Sequence, residues 1–458
     1  MCYTKKITSI VVKIMEEYRL VMQYKNPEGR FINNDIIISG KIMVPKEIVD
    51  LGLRHTDQIE ILQKIQDSIL NKQSEYLKED INYCPKCGNK LHKNGINKCS
   101  FNSVFTDHKI PVHRQLCSHC KWSSVPSVNS LFGSHMHPDL IKLQCEEASK
   151  QSYTKAKFSL NLKACKTRKV NSTMTIHGVV ETVGNYISQN PNEDLSKAKP
   201  AKTLVVQVDG GHIKSKERDT RSFEAITSVI YKPENVVLKG KKERGVILEK
   251  HCAASSLNDK QEQIKKQTLI AAKKEGMTKD TELIAISDGA VNCWSVVDHL
   301  KGYCKSITSI LDWFHVAMKF QNIGKLKSKK FSELLESAKW SLWHGNTKLF
   351  NERINELIEQ ASNVKLLKKL NELKQYIANN ELKIVDYNTR KDQNLIFTSN
   401  LAECTVESLI NQRCKGKQHM QWSREGVQPI LQIRASSASN DWQLNWEEYI
   451  LGAYQKAA

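Results

Sequence analysis

The chain contains no uninterrupted apolar run of about eighteen residues, the length a helix needs to cross a bilayer, so no membrane span is expected. Its start, Met1 to Ile14, lacks the basic, then apolar, then small-residue order of a secretory leader. Export is therefore not expected, and the reading places the protein in the cytoplasm. Fixed-period repeats and low-complexity linkers are also missing. Acidic residues are the scarcer charge: 49 Asp and Glu face 69 Lys and Arg, a net charge of +20 over 458 residues. Such an excess points to a polyanionic partner, with nucleic acid first. Hydrophobic residues at 40% and charged residues at 26% are a globular composition. At roughly 100–200 residues per domain the length allows two to four domains.

Thirteen cysteines are an odd number in a chain without an export signal. A disulfide framework is therefore not expected; most of the thiols should be free and buried, with a subset clustered for metal. Cys84-Pro85-Lys86-Cys87-Gly88 and Cys117-Ser118-His119-Cys120 are two Cys-x-x-Cys knuckles. Each puts two thiolates on one turn, and two such turns complete a tetrahedron around Zn²⁺. A redox pair or free cysteines are the alternatives. With all four positions filled by Cys, the metal is expected to be structural. His92, Cys99 and His113 lie between the knuckles as spares, and the segment between them suits the hairpin of a zinc ribbon.

The chain divides by pattern into six stretches. Residues 1–76 are a mixed region: residues 7–22 have helical apolar spacing, 30–43 read as a strand or hairpin, and 48–70 return to helix. Residues 77–125 form the zinc ribbon. Residues 126–195 are helical and basic, with Lys155, Lys157, Lys166, Arg168 and Lys169 clustered around a candidate helix-turn-helix that would face DNA phosphates. The alternative there is a helical linker with a solvated basic face. Residues 196–321 alternate strands and helices, which suggests an α/β domain. Residues 322–395 are helical throughout, and 396–458 return to mixed character with another helix candidate at 401–415.

Three apolar strand patterns end in an aspartate. Residues 204–208 lead into Asp209-Gly210-Gly211-His212, residues 282–287 into Asp288-Gly289, and residues 306–311 into Asp312-Trp313-Phe314-His315. A carboxylate at the end of a buried strand is held rigidly, and two of them suit a pair of Mg²⁺ or Mn²⁺ ions used for phosphodiester displacement. Turn chemistry alone also accounts for Asp-Gly. His315 reads either as a packed or capping histidine or as a group orienting a carboxylate. Trp340 and Trp343 read chiefly as core residues, with base stacking as the alternative.

Together with NLAECTVESLINQRCKGKQHMQW at residues 400–422, the segments LVVQVDGGHIK, ISDGAVNCW, ILDWFHVAMK and KWSLWHG resemble bacterial insertion-sequence DDE transposases of the ISKra type. The resemblance covers roughly residues 200–450. It implies an α/β fold: an RNase H-like catalytic core with a large all-α insertion, preceded by the zinc ribbon and the helical DNA-binding region. It also implies a triad of Asp209, Asp288 and Glu403 holding two Mg²⁺ or Mn²⁺ ions, with Asp312 and His315 as an accessory motif. Glu407, one turn beyond Glu403, is a rival third carboxylate. Arg413, Lys415 and Lys417 would join the basic residues on DNA. The implied activity is binding of element ends, metal-dependent cleavage and strand transfer on double-stranded DNA, by a homodimer or higher assembly near the bacterial nucleoid. An RNase H-like endonuclease without strand transfer, or a catalytically silent DNA-binding protein, are the rival readings.

Overall fold

The computed structural model describes residues 14–77, 81–239, 244–324, 329–361, 363–398, 407–415 and 420–455. These fall into two compact units. One takes the described residues up to Glu147, those from Tyr153 to Val179, and those from Ile450 onward; the other takes 148–152 and the described residues from Val180 to Tyr449.

In the first unit, β1 (Ile14–Lys25) and β2 (Phe31–Met43) form an antiparallel hairpin. The helical expectation for residues 7–22 fails over its described part. Leu20 and Val21 stand opposite Ile38 and Ile36, and a β-branched partner strand overrides the weak helical spacing. Helix α1 (His55–Ser74) follows, and its Asp67 meets His108 Nδ1 at 2.5 Å. The next hairpin is β3 (Leu91–Asn102) with β4 (Asp107–Cys117). Cys99, Ile110 and Val112 pack its inner face against Val128 of α2 (Val128–Phe132). Helices α3 (Pro138–Lys150), α4 (Tyr153–Lys163) and α5 (Thr173–Gln189) follow within the stretch read as helical, and α3 and α5 run on into the second unit.

The second unit is built on a mixed five-stranded sheet. Its strands are β5 (Thr203–Lys214), β6 (Ser222–Tyr231), β9 (His251–Ser255), β10 (Glu282–Ser287) and β11 (Ser306–Leu311), in the order β11-β10-β5-β6-β9. Strands β5, β10 and β11 are mutually parallel, while β6 runs antiparallel to both β5 and β9. A small hairpin of β7 (Val236–Lys239) and β8 (Arg244–Ile247) lies between β6 and β9 in sequence. Leu204, Val206 and Val208 of β5 bury one face against α6 (Glu262–Lys274) and α7 (Val291–Asp298) through Ile264, Ala271, Cys293 and Val297.

Beyond β11 the described chain is helical: α8 (Trp313–Gly324), α9 (Lys329–Trp343), α10 (Thr347–Glu359), α11 (Val364–Asn379) and the short α12 (Tyr387–Asp392). The breaks are chemical. Gly345 takes φ +70° after α9, the Asn346 side chain accepts from Leu349 N–H to start α10, and Asn363 accepts from Lys365 N–H to start α11. Apolar residues three and four apart, such as Leu366, Leu370, Leu373 and Ile377, form one buried stripe. Arg424–Ala438 and Trp442–Gln455 are the last helices. Among the described residues no helix is long and apolar enough to cross a membrane.

Candidate functional site

Strand register brings the three aspartates together. Val208 pairs with Ser287, and Ser287 pairs with Leu311. The next residue on each strand's path is Asp209, Asp288 or Asp312, so three carboxyl groups stand side by side where β10 and β11 end and β5 runs on to Lys214, paired only with β6, about 4.8 Å apart per strand. Asp209 Oδ1 accepts from Gly210 N–H at 2.7 Å and Asp288 Oδ1 from Ala290 N–H at 2.9 Å. Each keeps its second oxygen free of a hydrogen bond among the described residues. Asp312 is fully buried and binds His315 Nδ1 at 2.7 Å, one helical turn on, where α8 begins.

Electrostatics follow this geometry. Burial, reinforced by the charges of Asp288 and Asp312 and offset by His315, pushes the Asp209 carboxyl up to about 6. Burial opposes charge on His315. Its hydrogen bond to Asp312, with the charges of Asp312, Asp209 and Asp288 behind it, nonetheless raises the imidazole above its ordinary value. The arrangement is therefore a cluster of three carboxyls with one adjacent imidazole that favours its protonated form.

The surrounding helices hold the strand ends in place. Tyr387 hydroxyl donates to the Leu311 carbonyl at 2.8 Å. Gly289 takes φ +94°, and a Cβ there would lie within 2.9 Å of Tyr376, Asn380 and Leu311, so the Asp-Gly pair is more than a generic turn. Trp343 is a core residue as expected, packed on Trp313 and Tyr387, whereas Trp340 is 49% exposed.

One carboxylate here was missed in the sequence. Glu224, on β6 opposite His212, lies over Gly210: a Cβ on that glycine would sit 2.1 Å from Glu224 Oε1. Asn292, in the first turn of α7, donates to Glu224 Oε2. Burial and then the charges of Asp288, Glu224 and Asp209 together push the Cys293 thiol up. Glu224 sits in a Ser-Phe-Glu-Ala run without glycine or a strand end, so only cross-strand register finds it.

Glu403 and Lys417 lie outside the described residues. Glu407 opens a π-helix, Glu407–Lys415, where it is exposed and accepts from Asn411 Nδ2 at 2.8 Å. The expected DNA-facing cations divide. Lys155, Lys166, Lys169 and Lys415 are exposed and Lys157 is half-buried. Arg168 is a correction: its side chain is buried, binds Asp107 at 2.7 Å, and donates to the carbonyls of Ser103, Val104 and Thr106. Arg413 is likewise buried, donating to the Ala148 carbonyl at 2.7 Å with its guanidinium over the Trp422 ring. Both are internal cations, because a fork of donors satisfies carbonyls as readily as phosphates.

The two knuckles meet as expected. The sulfurs of Cys84, Cys87, Cys117 and Cys120 all lie within 4.8 Å of one another, with Cys84–Cys120 at 3.5 Å and Cys87–Cys117 at 3.4 Å. A tetrahedral ion with bonds of about 2.3 Å needs ligand separations of about 3.8 Å, so the four thiols fit a metal such as zinc. Gly88 and Lys121, each directly after a knuckle, both take positive φ, and their amides close the turns on the Cys84 and Cys117 carbonyls. Hydrogen bonds from Asn89, the backbone one first, hold the Cys87 thiol down near 5, which favours the thiolate a metal needs. Cys99 packs in the hairpin core and stays a spare.

A family model described as an uncharacterised protein family, UPF0236, matches residues 137–448. The chain belongs to the UPF0236 family. The match takes in Asp209, Asp288, Asp312 and Glu224 and begins after the four-cysteine hairpin, so the family's shared part is the α/β unit with its helical neighbours. No curated protein matches the chain.

Proposed function

We propose that this UPF0236 protein is a DDE transposase of an insertion sequence, with an RNase H-like core interrupted by the helices from α9 to α12. The reading rests above all on one observation: Asp209 and Asp288 directly follow Val208 and Ser287, which pair on adjacent parallel strands, and each has an uncommitted oxygen. The sheet supports it too, because three antiparallel strands followed by two parallel ones on the other side of the first is the strand order of RNase H-like folds.

Asp209 and Asp288 would hold Mg²⁺ or Mn²⁺, with Glu403 as the third ligand by resemblance. Bound ions of this kind polarise the phosphate and activate water, then the freed 3′-hydroxyl. Oxygen donors of this type suit those cations rather than zinc. Asp312 fixes His315 through Nδ1 and leaves Nε2–H as a donor toward the scissile phosphate. Glu224, through Asn292, ties β6 to the start of α7 and steadies the Asp288 loop. The four cysteines hold one structural zinc, and the exposed lysines of α4 and its following turn take DNA phosphates, which makes binding salt-dependent.

The test is incubation of the protein and Mg²⁺ with duplex DNA from the ends of its own element. Cleaved ends joined to a second duplex support the transposase. Cleavage without joining moves the protein to the RNase H-like endonucleases, and binding without cleavage makes it a silent DNA-binding protein. Glu403→Gln should abolish cleavage, whereas Glu407→Gln should leave it largely intact.

A further inference from the structure

At the opposite end of the sheet from the aspartates lies a second concave region. Asp209 pairs with Thr227 on β6, and three residues further along β6 Ile230 pairs with His251, so the region begins about 10 Å along the strands from Asp209. Its smaller chamber, about 70 Å³, is lined by apolar Ile187, Ile270 and Ala253 together with Gln267, Gln432 and Asn445. A water needs about 10–15 Å³ of such space, so the chamber holds several waters or one flat ring.

The chamber is short of donors. Gln432 Nε2 donates to the Ala254 carbonyl at 2.7 Å, so its oxygen accepts from Gln267 Nε2, and Gln267 Oε1 has no partner. Asn445 is 7% exposed; its Nδ2 is spent on Ser436, and its Oδ1 also has no partner. A buried amide oxygen without a donor is unfavourable. His251, Lys274, Ser439 and Asp441 line both this chamber and an adjoining larger cavity of about 450 Å³. His251 and Lys274 are neutralised there by Glu275 and Asp441, at 2.6 Å and 2.7 Å, and form a fixed wall. Four more cations, Lys197, Lys199, Lys232 and Lys250, line the larger cavity together with the carboxylates of Asp194 and Glu249; none of the four makes a salt bridge among the described residues, and the charge of Lys197 helps hold the Asp194 carboxyl down.

We propose that this region binds a nucleoside phosphate, its base in the smaller chamber and its phosphate on the lysines of the larger cavity beside it. An exocyclic amine supplies the donor that Gln267 and Asn445 lack, the ring face suits the apolar lining, and the phosphate meets the uncommitted lysines. The ligand is either a free nucleotide or the terminal nucleotide of a nucleic acid. This site stands apart from the carboxylate cluster and does not depend on its chemistry.

Calorimetric titration of the full chain with each of the four ribonucleoside 5′-monophosphates, with adenosine and with inorganic phosphate tests the proposal. At least one monophosphate should bind measurably at sub-millimolar concentration and more tightly than adenosine or phosphate. The double variant Lys199→Ala, Lys232→Ala, both on the surface of the cavity, should weaken it about tenfold or more. Asn445→Asp, which keeps shape and an acceptor, should still bind. Competition by a 5′-phosphorylated oligonucleotide assigns the ligand to a strand end; its absence assigns a free nucleotide. No binding by any monophosphate, equal binding of inorganic phosphate, or binding indifferent to the lysine pair overturns the proposal and leaves the chamber to ordered water.

Discussion

The Tyr376 hydroxyl donates a hydrogen bond to the Asp288 carbonyl at 2.7 Å, although the two residues are 88 positions apart. Helix α11 thereby holds the loop that carries the second carboxylate. Tyr376→Phe removes that bond alone and should cost about 1 kcal/mol of stability while lowering cleavage more than DNA affinity. Gly289→Ala should cost more, about 2 kcal/mol or above, because it meets both the positive φ and the Tyr376 ring. Chemical denaturation and cleavage rates measured on both variants check the order.

Removal of metal from the hairpin should act locally. Purified, reduced protein is expected to carry about one zinc per chain, and Cys87→Ser should release it. Far-ultraviolet circular dichroism should then change little, because the sheet of the second unit does not draw on those cysteines. Zinc analysis that finds no metal in the wild type removes the claim.

The strands bearing the aspartates were legible because a short apolar run meeting an acid marks a buried strand; for β10 and β11 the acid is where the strand stops, whereas β5 was read too short and runs past Asp209 to Lys214, paired with β6. The helices between Lys329 and Asn379 were legible from their apolar spacing, with Asn and Gly marking their ends. Residues 14–22 were not: their spacing fits a helix, and only pairing with Ile36 and Ile38 makes them a strand. Arg168 was misread because sequence shows a cation but not its partner. Glu224 was invisible because its place over Gly210 is a matter of register between strands.

Arg168 offers a clean separation of structure from DNA contact. Arg168→Met should destabilise the protein by roughly 3–5 kcal/mol, since it removes the counter-charge from Asp107 and the donors from three carbonyls. Lys169→Ala should leave stability within about 0.5 kcal/mol and weaken DNA binding, with a shallower salt dependence. Thermal melts and salt-titrated binding curves distinguish the two patterns.

Acidity should reveal the buried carboxyl. Asp209 ionises at about 6 in the fold against 3.8 when free, so the folded state favours its protonated form. The associated stability is fully present below pH 4 and is lost as pH rises toward 6, a difference of roughly 3 kcal/mol. In metal-free protein, Asp209→Asn should therefore be more stable than wild type at pH 7, and the gap should close toward pH 4. Denaturation midpoints across that range, taken in chelator, check the sign.

The most direct measurement is Mg²⁺-dependent cleavage of element-end DNA by Asp288→Asn, run beside its affinity for the same DNA. The carboxylate-cluster account predicts that cleavage disappears at every Mg²⁺ or Mn²⁺ concentration while affinity stays within about twofold of wild type, because one uncommitted oxygen donor is lost and the basic surface is not. Retained cleavage, or a loss of affinity in step with the loss of cleavage, contradicts it and makes Asp288 a structural residue.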